Sequence, residues 1–273
     1  MTSLLLAETK RLWSRRITYF FPALLALLFV AGIVIAYFVI EGDESNNVDF
    51  VTDIAGGVDA REILGPVASL LPVMAFVIGA SYIGADLKSG MVEQILTWEP
   101  RRLRFVAARI VAGLVSAAVI AMVLAALLVL LLYILAALVG TVEGTTGELW
   151  GNVAAAIGRT GLAAGLFCAF GIAVTLLLDS SVASITGFVI YWFIVESFLL
   201  STFLPKVAVW LPVTNASSFG SGDDVERIEG SVFNDSFEVV RHHGYLVAGL
   251  VLVAWVVVSV VLSGAVFDRR DIA

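Results

Sequence analysis

The segment Gly84–Arg109, with the sequence GADLKSGMVEQILTWEPRRLRFVAAR, separates two long apolar runs with a polar, helix-like stretch and a basic cluster. The runs on either side, residues 66–83 and 105–139, are each long enough to cross a bilayer core of about 30 Å, which requires roughly 20 helical residues. A chain that only crossed the membrane twice could turn round in a few residues. The pattern therefore predicts two membrane helices joined by a segment that has a task of its own.

The rest of the chain is equally apolar, since 60% of its 273 residues are hydrophobic, 14% are charged and the mean hydropathy is +1.01. A membrane barrel would show alternating segments of about ten residues, whereas these runs are continuous and rich in Leu, Ala and Val. We predict an all-α polytopic membrane protein with a single transmembrane domain over residues 1–273. The predicted spans are residues 20–40, 66–83, 105–139, 153–178, 182–201 and 244–267.

The distribution of Lys and Arg predicts the topology better than the net charge of −7 does. Connections on the cytoplasmic side of a membrane carry an excess of basic residues. The basic residues of one side are Lys10, Arg11, Arg15, Arg16, Lys88, Arg101, Arg102, Arg104, Arg109, Arg269 and Arg270, against Arg61, Lys206, Arg227 and Arg241 on the other. We predict a multi-pass protein of the cell (inner or plasma) membrane with both termini in the cytoplasm. The composition predicts a lipid environment and no nucleic-acid partner.

Residues 1–19 predict an amphipathic connecting helix at the membrane surface, because apolar and charged side chains fall on opposite helical faces. The alternative is a basic flank that only fixes topology. The predicted apolar face has Leu6, Trp13, Ile17 and Phe20, and the polar face has Glu8, Arg11, Ser14 and Arg15.

Residues 202–243 form the largest predicted external segment. Its first part, FLPKVAVWLP, is apolar and contains Pro205 and Pro212, which predicts a broken or re-entrant helix at the outer side of the membrane. The remainder is polar and acidic. We predict no particular fold for it.

Small residues recur at helical spacing in the third and fourth spans. Such stripes let membrane helices approach closely, so they predict helix contacts within or between subunits. The residues are Gly113, Ala117 and Ala121 in the third span and Gly161 and Gly165 in the fourth.

Arg159 and Glu196 are the charged residues deepest in the predicted spans. A charge near the middle of a bilayer costs about 2.5 to 3.5 kcal/mol on insertion scales, so each needs a partner, a water-filled cavity or a path to the surface. Their similar predicted depths lead us to hypothesise an ion pair. A purely structural role and a role in substrate passage are both open.

Catalytic motifs are absent from the sequence: it contains no HExxH, GxSxG or CxxC pattern, and no GxxxxGK[ST] loop that would hold nucleotide phosphates. The two histidines, His242 and His243, make too weak a set to predict a metal site. We therefore assign no catalytic, cofactor-binding or metal-binding residues, and any use of ATP must involve another polypeptide.

With these features, the chain resembles the ABC-2 type transporter permeases, the membrane subunits of ATP-binding cassette exporters. ETKRLWSRR at residues 8–16 resembles the amphipathic connecting helix of that family. The segment after the second span resembles its acid, glycine, leucine-rich turn, proline and basic pattern through Asp86, Gly90, Ile95, Leu96, Pro100, Arg101 and Arg102. The acid is often glutamate in the family, and a lysine often stands at the position of Arg109.

The resemblance implies that residues 85–104, called the coupling segment below, form a cytoplasmic coupling helix that contacts a separate ATPase subunit. That subunit would hold ATP and Mg²⁺, and the permease would pair with a second copy or a homologous chain. A loop that only fixes topology is the simpler alternative for this segment. The implied coupling residues are Asp86, Gly90, Met91, Glu93, Ile95, Leu96, Pro100, Arg101 and Arg102.

The expected function is export of an unidentified hydrophobic or amphipathic substrate, in which this chain is not an enzyme by itself. Two alternatives are an ion-coupled secondary transporter, with Arg159 and Glu196 as a relay, and a membrane assembly factor that transports nothing. A secondary transporter typically shows internal repeats, and the halves of this sequence show no evident repeat.

Overall fold

The computed structural model describes residues 2–41, 60–91, 94, 102–139, 146–200, 203–231 and 236–269. Over these residues the chain is an all-α polytopic membrane protein with six helices that are long and apolar enough to cross a membrane. In chain order the elements are α1 (Thr2–Trp13), α2 (Ile17–Glu41), α3 (Ala60–Lys88), α4 (Arg102–Val139), α5 (Gly147–Leu178), α6 (Ser181–Ile190) with a π-helical continuation (Tyr191–Leu200), α7 (Pro205–Ala208), α8 (Pro212–Ser221), β1 (Val225–Ser231), β2 (Ser236–His243) and α9 (Tyr245–Arg269).

The six predicted spans are confirmed: five coincide with one long helix each, and the fifth coincides with α6 and its π-helical continuation. Local caps explain where α5 and α6 begin. The Thr146 side chain accepts a hydrogen bond from the Leu149 N–H at 3.2 Å, and the Ser180 side chain accepts one from the Ala183 N–H at 3.3 Å. Each satisfies a backbone donor that the first helical turn leaves free. Asp179, at φ 56°, is the left-handed residue between the two helices, so α5 and α6 form a tight hairpin.

Helix α5 lies at the centre of the fold and packs against α3, α4 and α9. Its crossing with α3 brings the two backbones into contact. A Cβ atom on Gly79 would lie 2.2 Å from the Cys168 carbonyl oxygen, and one on Gly171 would lie 2.3 Å from the Phe76 carbonyl oxygen. Only glycine fits at either position. Packing of this kind replaces the hydrophobic effect as the source of helix association in a membrane.

The segment after the π-helix re-enters the bundle as two short helices, which confirms the predicted break. Helices α7 and α8 each begin at a proline, which suits the first helical position because that residue needs no N–H donor there. Helix α8 packs against α3, α5 and α9. The buried Asn215 side chain donates to the carbonyl oxygens of Val209 and Leu211 at 2.9 and 2.7 Å.

Strands β1 and β2 form an antiparallel hairpin that the sequence analysis did not predict. His243, at the end of β2, places its Nε2 atom 2.9 Å from Asn215 Oδ1. The hairpin is thereby attached to α8.

Helix α1 lies beside the C-terminal end of α3 and the first turns of α4. Arg11 contacts Asp86 near the end of α3, and Gly84 of α3 lies against Ser181 at the start of α6. We call this side of the bundle the N-terminal end and the opposite side the far end.

Replacing Gly171 by alanine should destabilise the protein by about 1–3 kcal/mol, the usual cost of overpacking a filled site, because the new methyl group would collide with the Phe76 backbone. The matched control is Gly158→Ala in the same helix, where a Cβ meets nothing within 4 Å. Thermal unfolding in detergent compares the two variants with the wild type. Equal melting temperatures for the two variants would contradict the close approach of α3 and α5.

Candidate functional site

A cluster of buried charges lies at the N-terminal end and joins three helices. Three guanidinium groups and two carboxylates contact one another there, with a tyrosine hydroxyl between them. The members are Glu8 and Arg11 of α1, Arg15 of the turn after α1, Tyr82 and Asp86 of α3, and Arg109 of α4. We call this set the basal ion cluster.

Asp86 is the centre of the basal ion cluster. Arg11 Nη2 lies 3.1 Å from Asp86 Oδ1, Arg15 donates to the same oxygen, and Arg109 pairs with Oδ2. The exposed fraction of Asp86 is 2% and that of Arg109 is 0%. A charge this far from water is tolerated only with partners of opposite sign. Asp86 therefore holds α1, α3 and α4 together.

Arg109 also contacts Glu8 and two aromatic rings. Its Nε atom lies 3.0 Å from Glu8 Oε2, and the Tyr82 hydroxyl donates to the same carboxylate. The guanidinium carbon lies 4.8 Å from the centroid of the Tyr82 ring and 4.6 Å from that of Phe105. Ring faces attract cations, so Arg109 is enclosed by carboxylates and π-faces.

The helical repeat explains why these side chains converge. Tyr82 and Asp86 are four residues apart on α3, and Phe105 and Arg109 are four apart on α4, a spacing that places two side chains on one face. The sequence analysis placed Glu8 on the polar face of the N-terminal helix and missed Tyr82. The only signal for Tyr82 is its four-residue spacing from Asp86 at the end of an apolar run.

The predicted polar face of α1 requires a correction at Glu8. Leu6, on the predicted apolar face, is 72% exposed. Glu8 and Leu12 are buried instead. The helix also ends at Trp13, and a new helix begins at Ile17. Glu8 faces inward because the buried Arg109 requires a partner of opposite charge.

The coupling segment begins at the basal ion cluster. Helix α3 ends at Lys88, and Gly90 follows with φ 67°, a backbone conformation that favours glycine. Met91 is 38% exposed, and its sulfur contacts the Arg11 guanidinium. Arg102 is the first residue of α4. The other predicted coupling residues, Glu93, Ile95, Leu96, Pro100 and Arg101, lie outside the described residues.

Asp86 was assigned to the surface that contacts an ATPase subunit, and its burial corrects that assignment. The carboxylate faces Arg11, Arg15 and Arg109 inside the protein, so it is not available to a partner. It fixes the base of the coupling segment instead. Among the coupling residues whose side chains are described, Met91 is the exposed one.

Glu196 binds the N-terminal turn of α8. Its Oε1 atom accepts hydrogen bonds from the backbone N–H and the hydroxyl of Thr214 at 2.6 and 2.9 Å. Leu211, which precedes the helix, provides no side-chain cap. The buried carboxylate of Glu196, which lies in the π-helical segment, takes the place of the missing cap.

Arg159 of α5 binds the opposite end of the same helix. Its Nη2 atom donates to the Ser221 carbonyl oxygen at 3.1 Å, and its guanidinium lies 5.2 Å from the centroid of the Tyr245 ring. Gly222 follows the helix with φ 90°, and a Cβ there would lie 2.4 Å from Arg159 Nη2. The turn therefore leaves room for the cation only with glycine at this position.

The hypothesised ion pair between Arg159 and Glu196 is wrong, because each side chain binds a different end of α8. The arrangement matches the helix dipole, which carries partial positive charge at the N-terminus and partial negative charge at the C-terminus. A carboxylate at the first turn and a guanidinium at the last both stabilise the helix. The two charges thus hold α8 inside the bundle.

The small residues predicted to mark helix contacts lie between α4 and α5. A Cβ on Gly165 would lie 2.7 Å from the Leu114 carbonyl oxygen, and one on Gly161 would lie 3.0 Å from that of Ala118. Gly113 faces Cys168 of α5. Ala117 and Ala121 are 1% and 0% exposed.

Residues 27–273 match the family described as "Protein of unknown function (DUF2705)". The chain belongs to this family. The match includes Asp86, Arg109, Arg159 and Glu196, whereas α1, which carries Glu8 and Arg11, precedes it. No curated protein matches the chain.

Replacing Asp86 by asparagine should cost about 3–5 kcal/mol of stability, the range for removing one member of a buried ion pair, because Arg11, Arg15 and Arg109 would lose their common partner. The control is Asp224→Asn, which breaks the exposed pair with Arg241 and should cost less than about 1 kcal/mol. Denaturation in mixed micelles measures both. Equal losses for the two variants would show that the basal ion cluster does not hold the helices.

A double-mutant cycle tests the two contacts of α8. Glu196→Gln and Arg159→Gln should each cost about 0.3–2 kcal/mol, the range for a charge at a helix terminus. The double variant should lose the sum to within about 0.5 kcal/mol, as separated sites do. The free energy of unfolding of the four proteins gives the coupling. If the double variant were as stable as the less stable of the two single variants, a direct ion pair between Arg159 and Glu196 would be indicated instead.

Proposed function

We propose that the chain is the membrane-spanning permease subunit of an ATP-binding cassette exporter, which moves a hydrophobic or amphipathic substrate outward. ATP and Mg²⁺ bind a separate ATPase subunit, and a second permease copy or a homologous chain completes the transporter. In this proposal the protein resides in the cell membrane with both termini in the cytoplasm, so that the N-terminal end of the bundle faces the ATPase.

The observation that carries the proposal is the basal ion cluster at the root of the coupling segment. Asp86 lies at the start of the segment and binds Arg11 of α1, and Arg109 follows the segment and binds Glu8 of α1. A force on the segment would therefore reach α1, α3 and α4 together. A loop that only reverses the chain direction would not require three helices to be joined at its base by buried charges.

The exposed start of the segment supports the same function. Met91 lies beyond the Gly90 turn with its side chain partly exposed and its sulfur against Arg11. An apolar side chain next to a guanidinium suits a protein contact, since interfaces are enriched in methionine and arginine. The resemblance to ABC-2 type permeases implies contact with an ATPase at this segment.

The ion-coupled alternative depended on Arg159 and Glu196 acting as a relay. Both side chains are instead bound to the termini of α8, on opposite sides of a ten-residue helix. Their contacts, Thr214 and Ser221, are seven residues apart, so at a rise of about 1.5 Å per residue they lie about 10 Å apart along the helix. Arg159 and Glu196 make no direct contact through which a proton or ion could pass. Export driven by a partner ATPase is therefore the better supported function.

Affinity purification under mild extraction tests the proposal. The wild-type protein should retain, in roughly equal amount, a subunit whose peptides include a GxxxxGK[ST] motif and which hydrolyses ATP. A glycine–serine linker of equal length in place of Gly90–Arg102 should abolish this capture, because it removes the contact surface and leaves the bundle intact. Mass spectrometry and ATP hydrolysis of the eluate give the two measurements.

The control is a glycine–serine linker of equal length in place of residues 140–145, which join α4 to α5. This variant should capture the ATPase as the wild type does. Capture that survives replacement of Gly90–Arg102 would exclude docking at the coupling segment. If the wild-type protein captured no ATPase, the assembly-factor alternative would be favoured.

A further inference from the structure

Two consecutive histidines at the end of β2 form the contact between the β-hairpin and α8. His243 Nε2 lies 2.9 Å from Asn215 Oδ1, and the Nδ1 atoms of His243 and His242 lie 2.7 Å apart. The His243 ring stacks on Trp210 with centroids 5.0 Å apart and 22° between the planes, and the His242 ring is perpendicular to the same indole at 5.1 Å. We call His242 and His243 the histidine pair.

Asn215 determines which nitrogen of His243 carries a proton. Its amide nitrogen donates to the carbonyl oxygens of Val209 and Leu211, so both of its N–H groups are used. Its Oδ1 atom can only accept, and His243 Nε2 is therefore the donor. Because a neutral imidazole has one N–H, His243 Nδ1 must accept, and His242 Nδ1 donates to it.

The histidine pair can take up one proton without losing a contact. The added proton binds Nε2 of His242, a side chain that is exposed. The hydrogen bond between the two Nδ1 atoms and the one to Asn215 both remain. A single positive charge is therefore compatible with the attached hairpin.

A second proton is not compatible with this arrangement. Each Nδ1 would then carry an N–H, and two donors cannot share a contact of 2.7 Å. Two positive rings with centroids 5.0 Å apart also repel each other. Rotation of His242 alone gives little relief, because the Cα atoms of consecutive residues are only about 3.8 Å apart. The repulsion is relieved when His243 leaves its half-buried position for water.

Burial lowers the pKa of His243, the charge of His242 lowers it further, and Asp224 opposes both. A histidine released into water has the ordinary pKa of about 6.5. The released state therefore binds more protons than the attached state in acid. Attachment is complete above about pH 6.5 and is lost as the pH falls from there toward the pKa of the attached His243.

The other charged groups around the histidine pair are few. Asp224 is itself paired with Arg241 Nε at 2.7 Å, and α8 has no ionisable side chain. The remaining ionisable side chains described on the surrounding elements are Lys206 of α7, Asp223 and Glu226 at the start of the hairpin, Tyr245 of α9, and Arg159, which lies over the Tyr245 ring.

We propose that the histidine pair is a proton-operated switch, which detaches the β-hairpin from α8 when both imidazoles are protonated at the far end of the bundle. The exporter function does not enter this proposal. A drop in pH on that side of the membrane would free the outer surface of α8.

Nuclear magnetic resonance of the full chain in lipid nanodiscs tests the proton positions. The chain has two histidines, so ¹⁵N-histidine labelling reports only this pair when the affinity tag contains none. At neutral pH His243 should be the Nε2–H tautomer and His242 the Nδ1–H tautomer, and acid should add the two protons in separate steps. Identical tautomers, or uptake of both protons in one step at about pH 6.5, would contradict the proposal.

Distances between two nitroxide labels measure the attachment in the same nanodiscs. The labels are placed on Ser231→Cys at the end of β1 and Gly151→Cys in α5, where a Cβ meets nothing within 4 Å, and the native Cys168 is buried. The range from about pH 8 to about pH 5 keeps carboxylates ionised. The wild type should show one distance above about pH 6.5 and a second below it. Since release takes up one proton, the ratio of released to attached protein should rise by up to about tenfold per pH unit.

His242→Gln should remove most of this response, because His243 can then be protonated while its Nε2–H still donates to Asn215. His243→Gln should show no response, since its side chain does not titrate. The matched control is Glu226→Gln on the exposed side of β1, which should respond as the wild type does. An unchanged response in either histidine variant, or a wild-type hairpin that stays attached with both imidazoles protonated, overturns the proposal.

Discussion

Charges removed from water must be partnered, and this requirement determines how the elements of the chain are connected. Each buried charge joins parts that are distant in sequence. Asp86 and Arg109 connect α1, α3 and α4, whereas Glu196 and Arg159 connect the π-helix and α5 to the two ends of α8. The hydrophobic effect does not drive helices together in lipid, because the lipid tails are as apolar as the helices. The ionic contacts add attraction between specific positions.

Close backbone packing and the ionic contacts together hold the bundle. At its centre α3 and α5 meet backbone to backbone at Gly79 and Gly171, which fixes their distance. At the periphery, the most apolar window of α2 has no buried residues.

The spans could be predicted from the sequence because a continuous apolar run has no other stable arrangement in a bilayer. The break at Pro205 and Pro212 could be predicted too, since proline lacks the N–H that a helix interior uses. The inward position of Glu8 could not, because its partner Arg109 is 101 residues away and periodicity reports only local neighbours. The same holds for Glu196: its depth was evident, but its partner is the backbone of a helix whose position the sequence does not reveal.

The contact between Arg159 and α8 has a consequence for how the protein is made. The Ser221 carbonyl that accepts from Arg159 is synthesised 62 residues later, after the fifth span and α7. The fourth span must therefore enter the bilayer with an arginine that has no partner yet, held by water, lipid headgroups or the insertion machinery. The partner of Glu196 is synthesised sooner, because Thr214 follows Glu196 by 18 residues. Docking of α8 between Arg159 and Glu196 is thus a late step of biogenesis. It gives both inserted charges a partner and stabilises the helix.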